Sequence, residues 1–181
     1  NVSAAGSTSD EGINNFVKRM YSVCLDRQPD DSGLKYWNEQ LVNKKATGCS
    51  VACGFVFSQE FTGKKYSDKD YVRYMYAAFF GREPDTEGSN YWISQLASGT
   101  SREMVFAGFT NSKEFADLCE ECGIVRGYYL PGFEPQKTAQ VSLFVERLYN
   151  VILDRNCDTA GMEHWTTQLC TLAESGSQVA F

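Results

Sequence analysis

"DRQPDDSGLKYWNEQL" (residues 26–41) decides the fold, because the chain writes it three times. It returns as "GREPDTEGSNYWISQL" (81–96) and as "DRNCDTAGMEHWTTQL" (154–169). The copies keep one register: Arg27, Arg82 and Arg155; Asp30, Asp85 and Asp158; Gly33, Gly88 and Gly161; Trp37, Trp92 and Trp165. A stretch repeated at fixed spacing marks tandem supersecondary units. Upstream of the first copy, Phe16, Met20, Tyr21 and Cys24 fall at i, i+4, i+5 and i+8. Phe144, Leu148, Tyr149 and Ile152 repeat that spacing upstream of the third, which predicts one apolar helical face in each. Downstream, "SVACGFVFSQEF" (50–61) parallels "MVFAGFTNSKEF" (104–115). The third copy reaches "QVAF" (178–181) where this second half would begin, so it is expected to be truncated.

Within a unit, Pro29 or Pro84 breaks the first helix, and Asp30, Asp85 and Asp158 stand where an N-cap belongs. The next helix carries Leu34, Trp37 and Leu41 as a buried stripe, which places all three repeated tryptophans in the core. Gly33, Gly88 and Gly161 are read as allowing close helix approach. Polar or Gly-containing turns follow: "NKKATG" (43–48), "ASGT" (97–100) and "LAESGS" (172–177). A third helix runs through Val51 and Phe55, or Val105 and Phe109, and Ser58 or Ser112 caps a fourth. No segment alternates with period two, so no strands are expected. The predicted fold is all-α: tandem small helical repeats of about four short helices each, disulfide-crosslinked. The expected organisation is a flexible lead-in (1–11), repeat one (12–65), repeat two (66–122), a linker (123–140) and a truncated repeat three (141–181).

Composition narrows the function classes. With 181 residues, 43% hydrophobic and 14% aromatic, the chain can pack a real core. A net charge of −6 with scattered basic residues argues against nucleic acid as a partner. No apolar run approaches the ~20 residues of a membrane-spanning helix. The abrupt start at Asn1 and the stop at Phe181 read as a mature fragment or an excised piece.

Seven cysteines suit disulfides in an oxidising setting better than zinc, since the single His164 and the lone CxxC at 119–122 do not complete a tetrahedral site. No metal and no cofactor are expected. Cys157 and Cys170 bracket one helix about 19 Å apart and cannot bond. Cys49 and Cys53 lie one turn apart. Cys24 is therefore expected to reach Cys49 or Cys53, and Cys119 or Cys122 to bond into repeat three. The odd count leaves one thiol over.

The pattern F-V-x-R-[ML]-Y … R-x-P-D-x-x-G-x-x-Y-W-x-x-Q-L … G-F-x-x-S-x-E-F resembles the DUF4214 family over nearly the whole chain. The resemblance implies an α-helical module of secreted or surface proteins, often beside Ig-like, wall-binding or carbohydrate-active domains. The family is also described as distantly similar to phycobilisome linker domains. No catalytic residues are established for it, so none is carried over. Repeat three departs from the pattern: Cys157 replaces the proline and His164 the tyrosine before Trp165.

Candidate ligand contacts follow from exposure expected at helical spacing. Tyr36, Tyr91 and His164 precede each tryptophan and point about 100° away from the buried stripe. The linker adds Arg126, Tyr128, Tyr129 and Phe133, whose bland reading is packing of the linker onto repeat two. Arg27, Arg82 and Arg155 are read with their aspartates as structural pairs. Catalysis finds little support: a lone histidine has no flanking motif, and adjacent carboxylates such as Asp30 and Asp31 do not face each other across a cleft. "DRQPDDSG" (26–33) lacks the ligand spacing of a calcium loop. The expected function is a non-catalytic extracellular or cell-surface module binding a glycan or a host or bacterial surface protein. A structural spacer that presents neighbouring domains of a larger parent chain is the alternative, and an enzyme a distant third.

Overall fold

An aspartate opens the second helix of each repeat. The backbone N–H of Gly33 donates to Asp30 Oδ1 at 2.6 Å, that of Gly88 to Asp85 Oδ1 at 2.7 Å and that of Gly161 to Asp158 Oδ1 at 2.7 Å. Each bond satisfies one of the donors left free in a first helical turn. Ser58 and Ser112 cap their short helices in the same way, and Thr47 forms a capping box with Ser50.

The computed structural model describes the backbone of residues 4–178 and the side chains of 11–173. Among these residues there are ten helices and no strand. Repeat one supplies α1 (Ala4–Leu25), α2 (Asp31–Val42), α3 (Gly48–Val56) and α4 (Gln59–Thr62). Repeat two supplies α5 (Asp68–Phe80), α6 (Thr86–Ala97), α7 (Arg102–Thr110) and α8 (Lys113–Glu121). Repeat three supplies α9 (Pro135–Leu153) and α10 (Thr159–Gln178). The all-α repeat architecture is as the spacing predicts.

Repeats one and two share one core. α1 packs on α5, and the short helices α4 and α8 each cross to the first helix of the other repeat. Phe61 of repeat one meets Tyr71 of repeat two, with ring centroids 6.4 Å apart. Its counterpart Phe115 meets Phe16, the counterpart of Tyr71, at 6.2 Å. Exchanging the two repeats therefore maps this contact onto itself, as a pseudo-twofold axis does. Val17, Met20, Cys24, Val72, Met75 and Phe79 are fully buried between them. Arg19 locks the pair: its Nε donates to the Ala78 carbonyl at 2.9 Å and its Nη2 to that of Phe79 at 3.5 Å, satisfying the open end of α5. Rings such as Phe79 and Phe115, 5.1 Å apart and edge-on, carry much of the stability, since truncating a buried Phe costs ~3–5 kcal/mol.

Four expectations change. The segment expected as a flexible lead-in is helical from Ala4 onward, continuous with α1; residues 1–3 lie outside the described residues. The turn expected at 172–177 is instead part of α10, which has no returning helix to meet among the described residues. "QVAF" falls almost wholly outside them. The linker is shorter than the expected 123–140: α9 already begins at Pro135, where a proline suits the first helical position. Finally, no disulfide forms among the described residues, so the predicted crosslinks of Cys24 to Cys49 or Cys53, and of Cys119 or Cys122 into repeat three, are absent. Cys24, Cys49, Cys53, Cys119 and Cys170 serve as small buried apolar side chains. Burial pushes the thiols of Cys24 and Cys49 up to about 12.

Candidate functional site

The repeated corner is built the same way three times. The arginine lies over the ring of a tyrosine from the preceding helix: Arg27 over Tyr21 at 5.0 Å, Arg82 over Tyr76 at 5.1 Å and Arg155 over Tyr149 at 4.8 Å. That tyrosine's hydroxyl points at the glycine. A methyl group at Gly33 would lie 2.6 Å from the Tyr21 hydroxyl, and the same clash faces Gly88 with Tyr76 and Gly161 with Tyr149. The glycine therefore makes room for a tyrosine rather than for a helix backbone, which sharpens the sequence reading. Sequence inspection missed this partner, although a tyrosine stands six residues before each arginine.

The arginines then diverge. Arg27 pairs with Glu60 at 3.4 Å, and Arg82 makes a two-pronged pair with Glu114 at 3.1 Å. Both acids belong to the second-half motif "S-x-E-F". Arg155 turns to Asp158 at 3.1 Å instead. The three aspartates hold their carboxyls below the ordinary range, first through the backbone N–H of the glycine.

The candidate ligand residues divide. Tyr36, Tyr91 and His164 are exposed, and each stands edge-on to the tryptophan that follows, at 5.0, 4.9 and 4.9 Å. They sit on three separate corners and their ring contacts do not bring them together. Two of the linker residues, Tyr129 and Arg126, are not exposed as a ligand contact would need. Tyr129 is buried, with its hydroxyl on Glu103 Oε1 at 2.8 Å and its backbone paired with the Asn111 side chain. Arg126 is buried too, donating through Nη1 to the Asn111 carbonyl at 3.0 Å. Tyr128 is half-buried and its hydroxyl donates to Glu163 at 3.3 Å. The carbonyls of Val125 and Arg126 accept from the first N–H groups of α3 at 2.9 Å. These residues stitch the repeats together, because an apolar linker beside open helix ends buries itself there.

The tryptophans divide as well. Trp37 and Trp92 are partly buried and lean on Phe55 and Phe109, at 5.6 and 5.3 Å. Trp165, expected in the core, is exposed. Among the described residues repeat three has no counterpart of α3 or α7 to cover it.

The same change runs down α9. Ala78 and Phe79 expose 0% of their surface; the equivalent Val151 and Ile152 expose 77% and 69%. Phe144, Leu148 and Leu153 are exposed beside them, whereas Phe16, Tyr71, Met20 and Met75 are buried. Isolated exposed apolar residues are ordinary, but a contiguous patch marks an interaction surface. The opposite side of α9 is satisfied: Thr138, Ala139, Ser142 and Val145 are buried, and Ser142 Oγ lies 3.3 Å from Thr166 Oγ1.

A second surface feature lies between α1 and α2. An open groove of about 470 Å³ is lined by Ile13, Asn14, Asp31, Lys35 and Asn38, among others. Asn38 donates to Asn14 at 2.6 Å, and its own side-chain oxygen is buried without a protein partner.

No helix among the described residues is long and apolar enough to cross a membrane. No curated protein and no solved structure matches the chain. One family model, described as "Domain of unknown function (DUF4214)", matches at residues 3–65, 52–119 and 133–181. These matches take in all three corners, and the chain belongs to the DUF4214 family as a tandem array.

Proposed function

We propose that the chain is a non-catalytic interaction module of an extracellular or cell-surface protein, and that it binds a protein partner through repeat three. The supporting observation is the exposed apolar strip of Phe144, Leu148, Val151, Ile152 and Leu153 on α9, with Trp165 exposed on α10. A Val, Leu or Ile side chain moved from water into a packed interface contributes ~1.5–3 kcal/mol, so a partner covering several gains substantially. The extracellular setting rests on the family resemblance, with neighbouring domains of a parent chain as its context. An apolar fluorescent probe such as bis-ANS tests the reading. It should bind the folded chain, and Ile152→Asp should remove most of the signal. A signal unchanged by Ile152→Asp contradicts it.

A second reading, glycan binding, is favoured by the α1–α2 groove. Its lining sets apolar side chains (Ile13, Leu34, Val42) beside polar ones (Asn14, Lys35, Asn38), which suits the apolar face and hydroxyls of a sugar; the oxygen of Asn38 lacks a protein partner, and Tyr36 is exposed on the same helix. A glycan array checks it: binding lost in Asn38→Ala supports the groove, and an array without any hit leaves the protein-binding or spacer role.

A further inference from the structure

The pseudo-twofold that relates repeats one and two is broken at one polar contact. On one side of the axis, Arg19 of α1 donates to the carbonyls of Ala78 and Phe79 at the end of α5. Gly81 leaves room for it: a methyl group there would lie 3.1 Å from Arg19 Nη1. The equivalent positions on the other side are Tyr74 for Arg19, Val23 and Cys24 for the two carbonyls, and Asp26 for Gly81. A tyrosine has one hydroxyl donor where a guanidinium has five N–H groups. The Tyr74 ring turns instead to Tyr66, with centroids 4.3 Å apart. A cavity of about 190 Å³ opens there, lined by Val23, Asp26, Tyr66, Arg73, Tyr74 and Glu83, among others.

This lining has the chemistry of a cation site. The last turn of α1 brings the negative end of its helix dipole to the cavity. Asp26 takes a left-handed backbone, φ 54°, where repeat two has Gly81 at φ 64°, so a carboxylate stands where the other side admits an arginine. Glu83 adds a second carboxylate. Arg73, the base in the lining, is already engaged: it pairs with Asp70 at 3.8 Å and lies over the Tyr74 ring at 5.2 Å. Lys64, close by, lies over the Tyr66 ring at 5.9 Å. The tyrosine pair gives a planar cation a flat wall.

We propose that this cavity binds a guanidinium group, carried by an arginine side chain of a partner protein or by a small molecule. Its N–H groups donate to the Val23 carbonyl and to the carboxylates of Asp26 and Glu83. The ligand thereby completes from outside the contact that Arg19 makes within the chain. The site uses no residue of repeat three and stands independently of the α9 strip.

An NMR titration of the chain's amide shifts with agmatine tests it, with acetyl-Gly-Arg-Gly-amide and butylamine as parallel arms. Shifts at Asp26, Tyr74 and Glu83 are expected, with a dissociation constant of about 1 mM. Asp26→Asn, which tolerates the left-handed backbone, should raise that constant about tenfold, as loss of a charge-assisted bond does. Tyr74→Arg should abolish binding by filling the cavity from within. Tighter binding of the peptide than of agmatine assigns the group to a protein partner, and the reverse order to a small molecule. Absence of shifts at the three residues overturns the site, as does binding unchanged by either variant. Butylamine binding as tightly as agmatine overturns the guanidinium assignment.

Discussion

Repeats one and two and repeat three contain the same corner and opposite surfaces. In all three, an arginine covers a tyrosine, the tyrosine fills the space left by a glycine, and an aspartate caps the helix. Yet Phe79 is sealed in a core while Ile152, at the same place in its repeat, faces water. The motif therefore fixes the angle between two helices and leaves open what lies on their apolar face. A single repeat cannot bury that face alone, which is the ordinary condition of repeat units.

The comparison breaks most visibly where the first two repeats meet. Phe115 touches both Phe16 and Phe79, so Phe115→Ala should destabilise the shared core by ~3–5 kcal/mol in urea unfolding. A loss below ~1 kcal/mol would mean that the two repeats do not share that core. Next in size is the corner. Gly161→Ala should cost ~1–3 kcal/mol by driving a methyl into the Tyr149 hydroxyl, and Tyr149→Phe in the same chain should recover part of it. Equal costs with and without the hydroxyl would show that the glycine answers to something else.

The caps give a smaller, pH-dependent effect. The folded carboxyls of Asp30, Asp85 and Asp158 lie below their ordinary value of 3.8. Their stabilisation is thus complete above that value and lost as pH falls through the lower folded values. Asp→Asn at all three positions, which keeps a capping side chain, should flatten the acid limb of the stability curve. An acid limb unchanged by the three substitutions contradicts the assignment. The smallest effect expected is none at all: with no disulfide among the described residues, dithiothreitol should leave the melting temperature unchanged, and iodoacetamide should modify the cysteines of the denatured chain without prior reduction. A drop in melting temperature on reduction would restore the crosslinks.

Much of this fold was legible in the sequence because local rules governed it. Pro29 and Pro84, the aspartate caps, Ser58 and Ser112 and the apolar spacing of Phe16 to Cys24 each act within a few residues. What was not legible depends on distant partners. Helical spacing marks Trp165 and Ile152 as apolar-face residues, and they are; whether anything covers that face is decided elsewhere in the chain. Tyr129 and Arg126 looked exposed because the linker has no period, yet Asn111 and the open end of α3 draw them in. The cysteines misled for a related reason: a high count signals disulfides only where pairs meet, and here they fill apolar space singly. Among the candidate ligand residues, Tyr36, Tyr91 and His164 are exposed as expected; for Tyr36 and Tyr91 the neighbouring tryptophan, packed on the core, fixes the direction of the side chain.

The most direct test puts one charge at equivalent places in the two environments. Phe79→Asp and Ile152→Asp should be compared by thermal unfolding. Phe79→Asp places an unpaired carboxylate in a sealed core and should prevent folding, whereas Ile152→Asp should leave stability within ~0.5 kcal/mol of the parent. Equal destabilisation by the two would contradict the claim that one motif carries a buried face in repeat two and an open one in repeat three.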